Sequence, residues 1–107
     1  MSVAKIAELN DHLRRTFTGG KVMMTAAVAA LDPVERAEVL ERVRAFTDFN
    51  ADNNPHGEND FGVVTVKDEQ FFWKVDYYDL TMEFGSEDPA DPAVTTRVLT
   101  IGHMSDY

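Results

Sequence analysis

The 107-residue chain predicts an α+β fold: two helices packed on an antiparallel sheet of three to four strands, in the order α-β-α-β-β-β. Three observations carry that expectation. Ile6, Leu9, Leu13 and Phe17 recur at spacings of three and four, the stripe of a 3.6-residue period. Asp32-Pro33 followed by Glu35 is a helix start, because the Asp side chain and the Pro ring suit the orphan amides of a first turn. Three runs rich in aromatic and β-branched residues then follow one another with no long helical pattern between them. Residues 1–107 are expected to form a single domain, long enough to bury about 60–70% of the unfolded surface.

Each element has its own signal. Ser2 can cap the first helix, whose outer face is Lys5, Glu8, Asp11, His12 and Arg15, and "TGG" at 18–20 stops it, since glycine tolerates left-handed conformations. "KVMMTAAVAAL" has no polar side and opens on Val22, Met23, Met24 and Thr25, which predicts a buried strand, although the alanines would also suit a helix. The second helix is predicted from Asp32 to about Phe49 with Leu40, Val43 and Phe46 facing the core. Arg36, Arg42 and Arg44 beside Glu35, Glu38 and Glu41 read as its solvated, salt-bridged face. "FGVVTVK" (61–67), "FFWKVDYYD" (71–79) and "TRVLTIGH" (96–103) are the remaining strands, the first two joined by a tight hairpin at "DEQ". Phe71, Trp73, Val75 and Tyr77 share one face of the middle strand. After Asp79 the apolar parity shifts to Leu80, Met82 and Phe84, which predicts a bulge near Asp79-Leu80. "GSEDPADPA" (85–93) is an acidic, proline-stiffened connection.

Charge divides the chain more sharply than hydrophobicity does. Residues 1–45 hold seven Lys/Arg against six acids, and residues 46–107 hold three against thirteen, so the second half carries the whole of the net −9. Across a domain of about 30 Å, ten surplus charges give roughly one per 3 Å, close to the ~3.4 Å spacing of phosphates along one nucleic-acid strand. Direct nucleic-acid binding is therefore disfavoured, and a basic partner, such as a protein that grips nucleic acid, fits better. Simple solubility is the alternative use of the same charge. There is no cysteine, hence no disulfide framework and no thiolate metal site. Neither a signal-peptide core nor a long apolar stretch is present, so a soluble cytoplasmic protein without a membrane partner is expected.

"DNNPHGENDFG" (52–62) concentrates the residues that chemistry would use. Read as a calcium loop from Asp48 it places Asp48, Asn50, Asp52 and Asn54 at alternate positions, but Asn53 stands where glycine belongs and Asn59 where the bidentate Glu belongs. His56, Glu58 and Asp60 alternate and would share a side if the segment were extended, a possible divalent-metal grip. Against this, Asn-Asn-Pro and His-Gly are turn chemistry in their own right, and no metal or other cofactor is expected. Glu58 with His56, or Asp76 with Asp79, could do general acid–base work. Yet no nucleophile elbow or phosphate cradle accompanies them, and His12, His56 and His103 fall on separate elements. A non-enzyme is expected, with a small hydrolase-type enzyme as an alternative.

"DNNPHGENDFG", "FFWKVDYYD" and "SEDPADPAVTTRVLTI", with "LNDHLRRTF" and "VMMTAAVAAL" before them, together resemble a small family of unknown function found in alphaproteobacteria, often on plasmids and other mobile elements. The likeness spans nearly the whole chain. This sequence departs from the family's pattern at Asn54, where Asp is expected, at Asn59, where His is expected, and in its ending "GHMSDY". Both internal departures remove a potential ligand. The resemblance implies a counter-defence role of the anti-CRISPR kind, an inhibitor that occupies the nucleic-acid site of a CRISPR-type or restriction complex by charge mimicry. The residues expected to meet such a basic surface are Asp76, Asp79, Glu83, Glu87, Asp88 and Asp91, flanked by Asp52, Glu58 and Asp60. Tyr78, or Tyr77, would be the aromatic anchor. The alternative is a plasmid-associated protein–protein interaction module that uses the sheet's aromatic face and no mimicry.

Overall fold

The structure, a computed structural model, describes residues 2–107. Helix α1 (Val3–Thr16) is followed by strand β1 (Lys21–Met24), a single helical turn α2 (Ala26–Ala29) and helix α3 (Pro33–Arg44). Strands β2 (Phe61–Val66), β3 (Glu69–Tyr78) and β4 (Thr96–His103) come next, then a short 3-10 helix, Met104–Asp106. The strands form one sheet in the order β1-β4-β3-β2. This is the α+β arrangement expected, with differences of detail.

The first concerns "KVMMTAAVAAL", which is not one buried strand. Its strand part ends at Met24, where Thr25 donates a last amide hydrogen bond to Ile101 O (3.0 Å) and the alanines wind into α2. Alanine has the best intrinsic helix propensity, and Val28 supplies the burial that the strand was expected to provide. Met23 and Met24 stay about half exposed on what is an edge strand. The second difference is direction. β1 pairs parallel to β4, Lys21 opposite Val98 and Met24 opposite Ile101, whereas β2, β3 and β4 are mutually antiparallel. A parallel pair needs a long crossover, and here α2, α3 and the β2–β3 hairpin all lie between the two strands.

Helix ends follow their chemistry. Ser2 Oγ accepts the Lys5 amide (3.1 Å), and Asp32 Oδ1 accepts those of Val34 (2.9 Å) and Glu35 (3.1 Å). α1 closes on Phe17, itself left-handed at φ 57°, before the glycines are reached. α3 stops at Arg44 rather than near Phe49, because Phe46 and Phe49 leave the helix to meet Trp73 edge-on at centroid distances of 5.5 and 6.1 Å. Its core face is Val39 and Val43, with Leu40 only half-buried.

Trp73 sits at the centre of the core, fully buried between Phe71 and Val75 on one face of β3. Gly62 on the neighbouring strand gives it room: a Cβ there would lie 2.5 Å from Trp73 Nε1 and 2.7 Å from Phe46 Cζ. β3 ends at Tyr78 without the predicted bulge. The chain turns tightly, with the Asp79 amide on Phe84 O (2.8 Å) and the Met82 amide on Asp79 O (3.0 Å), and Tyr78 bridges back to Gly85. Leu80 and Phe84 consequently point away from the core, at 64% and 71% exposure. Among the described residues no helix is long and apolar enough to cross a membrane.

Candidate acidic interface

A buried polar network fastens the 52–62 loop to the rest of the molecule. Asn10 is fully buried in the middle of α1 and makes three links at once. Its amide donates to Glu58 O (2.9 Å) and to the Tyr77 hydroxyl oxygen (2.8 Å), and its Oδ1 accepts from Arg97 Nε (2.9 Å). The Tyr77 hydroxyl in turn donates to Glu58 Oε1 (2.8 Å), and burial raises its pKa, so the phenol stays protonated. Arg97, only 3% exposed, stacks over the Tyr77 ring at 5.2 Å and donates to Pro89 O, with burial pulling its pKa below the ordinary value. α1, the loop, β3, β4 and the 85–93 connection therefore converge on Asn10 and Arg97.

Neither residue was singled out from the sequence. The signal for Asn10 is its position four after Ile6 and three before Leu13, a polar residue inside the apolar stripe. Arg97 is the one cation of a β-rich run.

A second cluster holds the loop from below. Asn54 and Asn59 clasp each other, side-chain amide to Oδ1 at 2.7 Å and the Asn59 backbone amide to Asn54 Oδ1 at 2.9 Å. Asn59 also donates to both oxygens of Asp11 (3.2 Å each), which holds Arg14 at 2.8 Å. Asn59 is left-handed at φ 55°, and this breaks the extended path on which His56, Glu58 and Asp60 would have shared a side. Glu58 turns to Tyr77, and His56 is exposed. Among the described residues no group of three or more His, Asp or Glu side chains is placed to hold a metal ion.

The candidate carboxylates mostly gather at the C-terminal end of β3. Asp60 O accepts the Val75 amide (2.9 Å), which seats the loop beside that strand, and burial of the Asp60 carboxyl raises its pKa, with Glu58 and Asp76 adding to the shift. Asp76 is held by Lys74 at 2.9 Å, so its charge is locally offset. Tyr78 lies half-buried on the strand face of Lys74 and Asp76, opposite Tyr77. Asp79 Oδ1 accepts the Thr81 hydroxyl (2.9 Å) and the Glu83 amide (3.1 Å). These bonds, the hydroxyl foremost, lower its pKa and keep it ionised. Asp88 and Asp91 accept the amides of Ala90 (3.2 Å) and Ala93 (2.9 Å) and so build the turns of the connection. Glu83 and Glu87 are exposed, and Asp52 stands apart on the exposed turn at 51–53.

Five of the seven Lys and Arg residues of the N-terminal half are engaged elsewhere. Arg42 pairs with Glu38, Lys5 with Glu8 and Arg14 with Asp11, while Arg36 bonds Ala29 O and Leu31 O, and Arg44 bonds Arg15 O and lies over Phe17. Among the described residues no ion pair joins a cation of residues 1–45 to a carboxylate of residues 46–107.

Concavities mark the surface of the described residues. An open groove of about 530 Å³ runs along α1 past Ala4, Ala7, Glu8, Asp11 and Arg15, with mixed charge. A cleft of about 370 Å³ lies at the acidic end, lined by Asp79, Leu80, Phe84, Gly85, Glu87 and Val94. Asp79 lines this cleft and Asp76 does not, so the two carboxylates considered for acid–base work share no cavity there.

The sequence matches, over residues 24–106, a family described as protein of unknown function (DUF3768). No curated protein and no solved structure matches the chain. The matched segment contains every candidate carboxylate and the cleft, while Asn10 and Asp11, which fasten the loop, lie before it.

Proposed function

We propose, for a chain that belongs to DUF3768, a family of proteins of unknown function, that it is a small acidic inhibitor. It would dock its β3 end on the basic surface of a nucleic-acid-handling complex of CRISPR type and so occlude the site where phosphates bind. The observation that carries this is the separation of charge. The carboxylates of residues 79–91 have no cation paired to them among the described residues, and the ion pairs of the N-terminal cations are all to acids of residues 1–45. A fixed array of unneutralised carboxylates attracts the Lys and Arg that normally meet phosphate and steers encounter at long range. Several of these carboxylates are set by their own turns, which reduces the ordering cost of binding.

The test is target-DNA binding by a purified CRISPR-type surveillance complex in the presence of excess protein. Target binding is expected to fall, and Glu83→Gln with Glu87→Gln is expected to weaken that effect about 10-fold, largely through the association rate. Undiminished target binding at saturating protein would show occlusion to be wrong.

The exposure of Leu80 and Phe84 beside the acids favours one further reading, an interaction module whose main contact is apolar. Salt separates the two. Charge mimicry predicts a steep loss of affinity between low and physiological ionic strength, and an apolar contact predicts almost none.

A further inference from the structure

The turn from Asp79 to Gly85 and the stretch from Glu87 to Val94 enclose the 370 Å³ cleft between them. Its walls are large apolar side chains left in water, Leu80 (64% exposed), Phe84 (71%) and Val94 (41%), and its charged members are Asp79 and Glu87, with no cation lining it. The cleft is preformed. The amide of Asp79 holds Phe84 O, that of Ser86 holds Tyr77 O (3.1 Å), and Thr95 Oγ1 ties Ser86 Oγ (2.6 Å) to Asp88 O (2.8 Å). Grouped apolar exposure around a preformed depression marks a contact site.

The lining chemistry selects the occupant. An anionic ligand is repelled, and a second copy of the chain would set like charge against like. A neutral apolar segment would strip water from Asp79 and Glu87 and give nothing back. A cation on an apolar stem meets both halves of the cleft. Arginine suits it better than lysine, because the guanidinium is weakly hydrated and stacks on aromatic faces, and the Phe84 ring is open to it. We infer that this cleft receives an arginine-bearing segment of a protein partner, its aliphatic stem against Leu80 and Val94 and its guanidinium over Phe84 beside Asp79 and Glu87. The inference rests on the reading that the acidic end meets a basic protein surface, and it names the contact that anchors it.

The probe is a capped pentapeptide, alanine–arginine–leucine–arginine–alanine, titrated into the full chain with amide chemical shifts as readout. Saturable shifts are expected at Leu80, Phe84, Gly85 and Val94. Phe84→Ala and Glu87→Gln should each weaken binding about 3–5-fold, and replacing the arginines by lysine should weaken it by a similar factor. Shifts spread over all the carboxylates and indifferent to Phe84→Ala would overturn the inference. So would equal binding of an all-leucine analogue, a peptide-independent dimer formed through Phe84, or no saturable binding at all. The occlusion experiment stays separate. A parent protein that binds the peptide in the cleft but leaves target DNA bound would defeat only the occlusion reading. A Phe84→Ala protein that still occludes at full strength would defeat only the cleft.

Discussion

Asn10 occupies the place in α1 where periodicity asks for an apolar residue, and it is tolerated there because all of its hydrogen-bonding capacity is used except one lone pair's worth. Its three partners lie on different elements, so its loss would be felt in several places. In Asn10→Ala the guanidinium of Arg97 keeps its burial and loses the Nε partner, and Tyr77 and Glu58 O each lose a donor. Leaving a buried charged donor unsatisfied is expensive. Asn10→Ala is therefore expected to destabilise the fold by about 2–4 kcal/mol, read as a lower urea midpoint at unchanged m-value. A change below half of that would mean water replaces the amide. Asp60 gives a pH signature of opposite character. Burial raises its pKa in the folded protein above the unfolded value, so the folded state binds the proton more tightly. The favourable contribution is complete below the ordinary carboxylate pKa of about 4 and is lost as pH rises through the raised value. Asp60→Asn is accordingly expected to be more stable than the parent at neutral pH, with the difference vanishing toward pH 3. Thermal unfolding of both proteins at the two pH values checks the sign, and a variant less stable than the parent at pH 7 would contradict it.

At the scale of elements, the β2–β3 hairpin shows a local conflict that can be relieved. Its two turn residues, Lys67 and Asp68, both adopt positive φ, 51° and 66°, the conformation of a type I′ turn, which favours Asn-Gly. Each ordinary residue held there costs on the order of 1 kcal/mol, partly offset by the backbone entropy a glycine would lose. Replacing the pair by Lys67→Asn with Asp68→Gly is expected to stabilise by about 1 kcal/mol, a rise in melting temperature of roughly 4–8 °C. No rise would show that the strand register, rather than the turn, fixes this hairpin. The antiparallel pairing of β2 with β3, the last strand at 96–103 and the Asp32 helix start were legible in the sequence because each rests on local chemistry, but the turn is Lys67-Asp68 rather than "DEQ", whose Glu69 and Gln70 already pair with Val66 and Thr65. The direction of β1 was not, since its partner β4 is joined to it only through the whole intervening fold. α3 hid its core face because Val34, Val39, Leu40 and Val43 surround the helix, leaving the choice of Val39 over Leu40 to packing against the sheet. The alternation of Leu80, Met82 and Phe84 misled for a related reason: a period of two identifies alternation but not which side faces water. Of the candidate site, the carboxylates were visible and their division of labour was not. Asp79, Asp88 and Asp91 build turns, Glu58 anchors the loop through Tyr77, and Asp76 holds Lys74, and each of these roles is set by a neighbour brought in by folding.

For the molecule as a whole, the segregation of charge has a thermodynamic consequence that requires no partner. A net charge of −9, concentrated in the half that forms β3, its turn and the acidic connection, makes the compact state repel itself, and unfolding relieves that repulsion by spreading the charges apart. Opposing this are the exposed ion pairs Lys5–Glu8, Arg42–Glu38 and Lys74–Asp76, each contributing a few tenths of a kcal/mol at most. Salt screens both effects, with a Debye length of about 10 Å at 0.1 M. The repulsion involves many more pairs than these three attractions, so the balance of screening favours the folded state. The melting temperature is expected to rise by a few degrees between about 20 and 300 mM sodium chloride, since 1 kcal/mol corresponds to roughly 4–8 °C for a domain near this size. Converting Glu83 and Glu87 to Gln removes two charges from the repelling end and should flatten that salt dependence. The same conversion at Glu35 and Glu41, on the helix where acids and arginines alternate, should leave most of it. A melting temperature that falls with salt, or that responds equally to the two pairs of substitutions, would mean that the acids are effectively dispersed. The acidic end would then lack the concentrated field on which recognition of a basic surface depends.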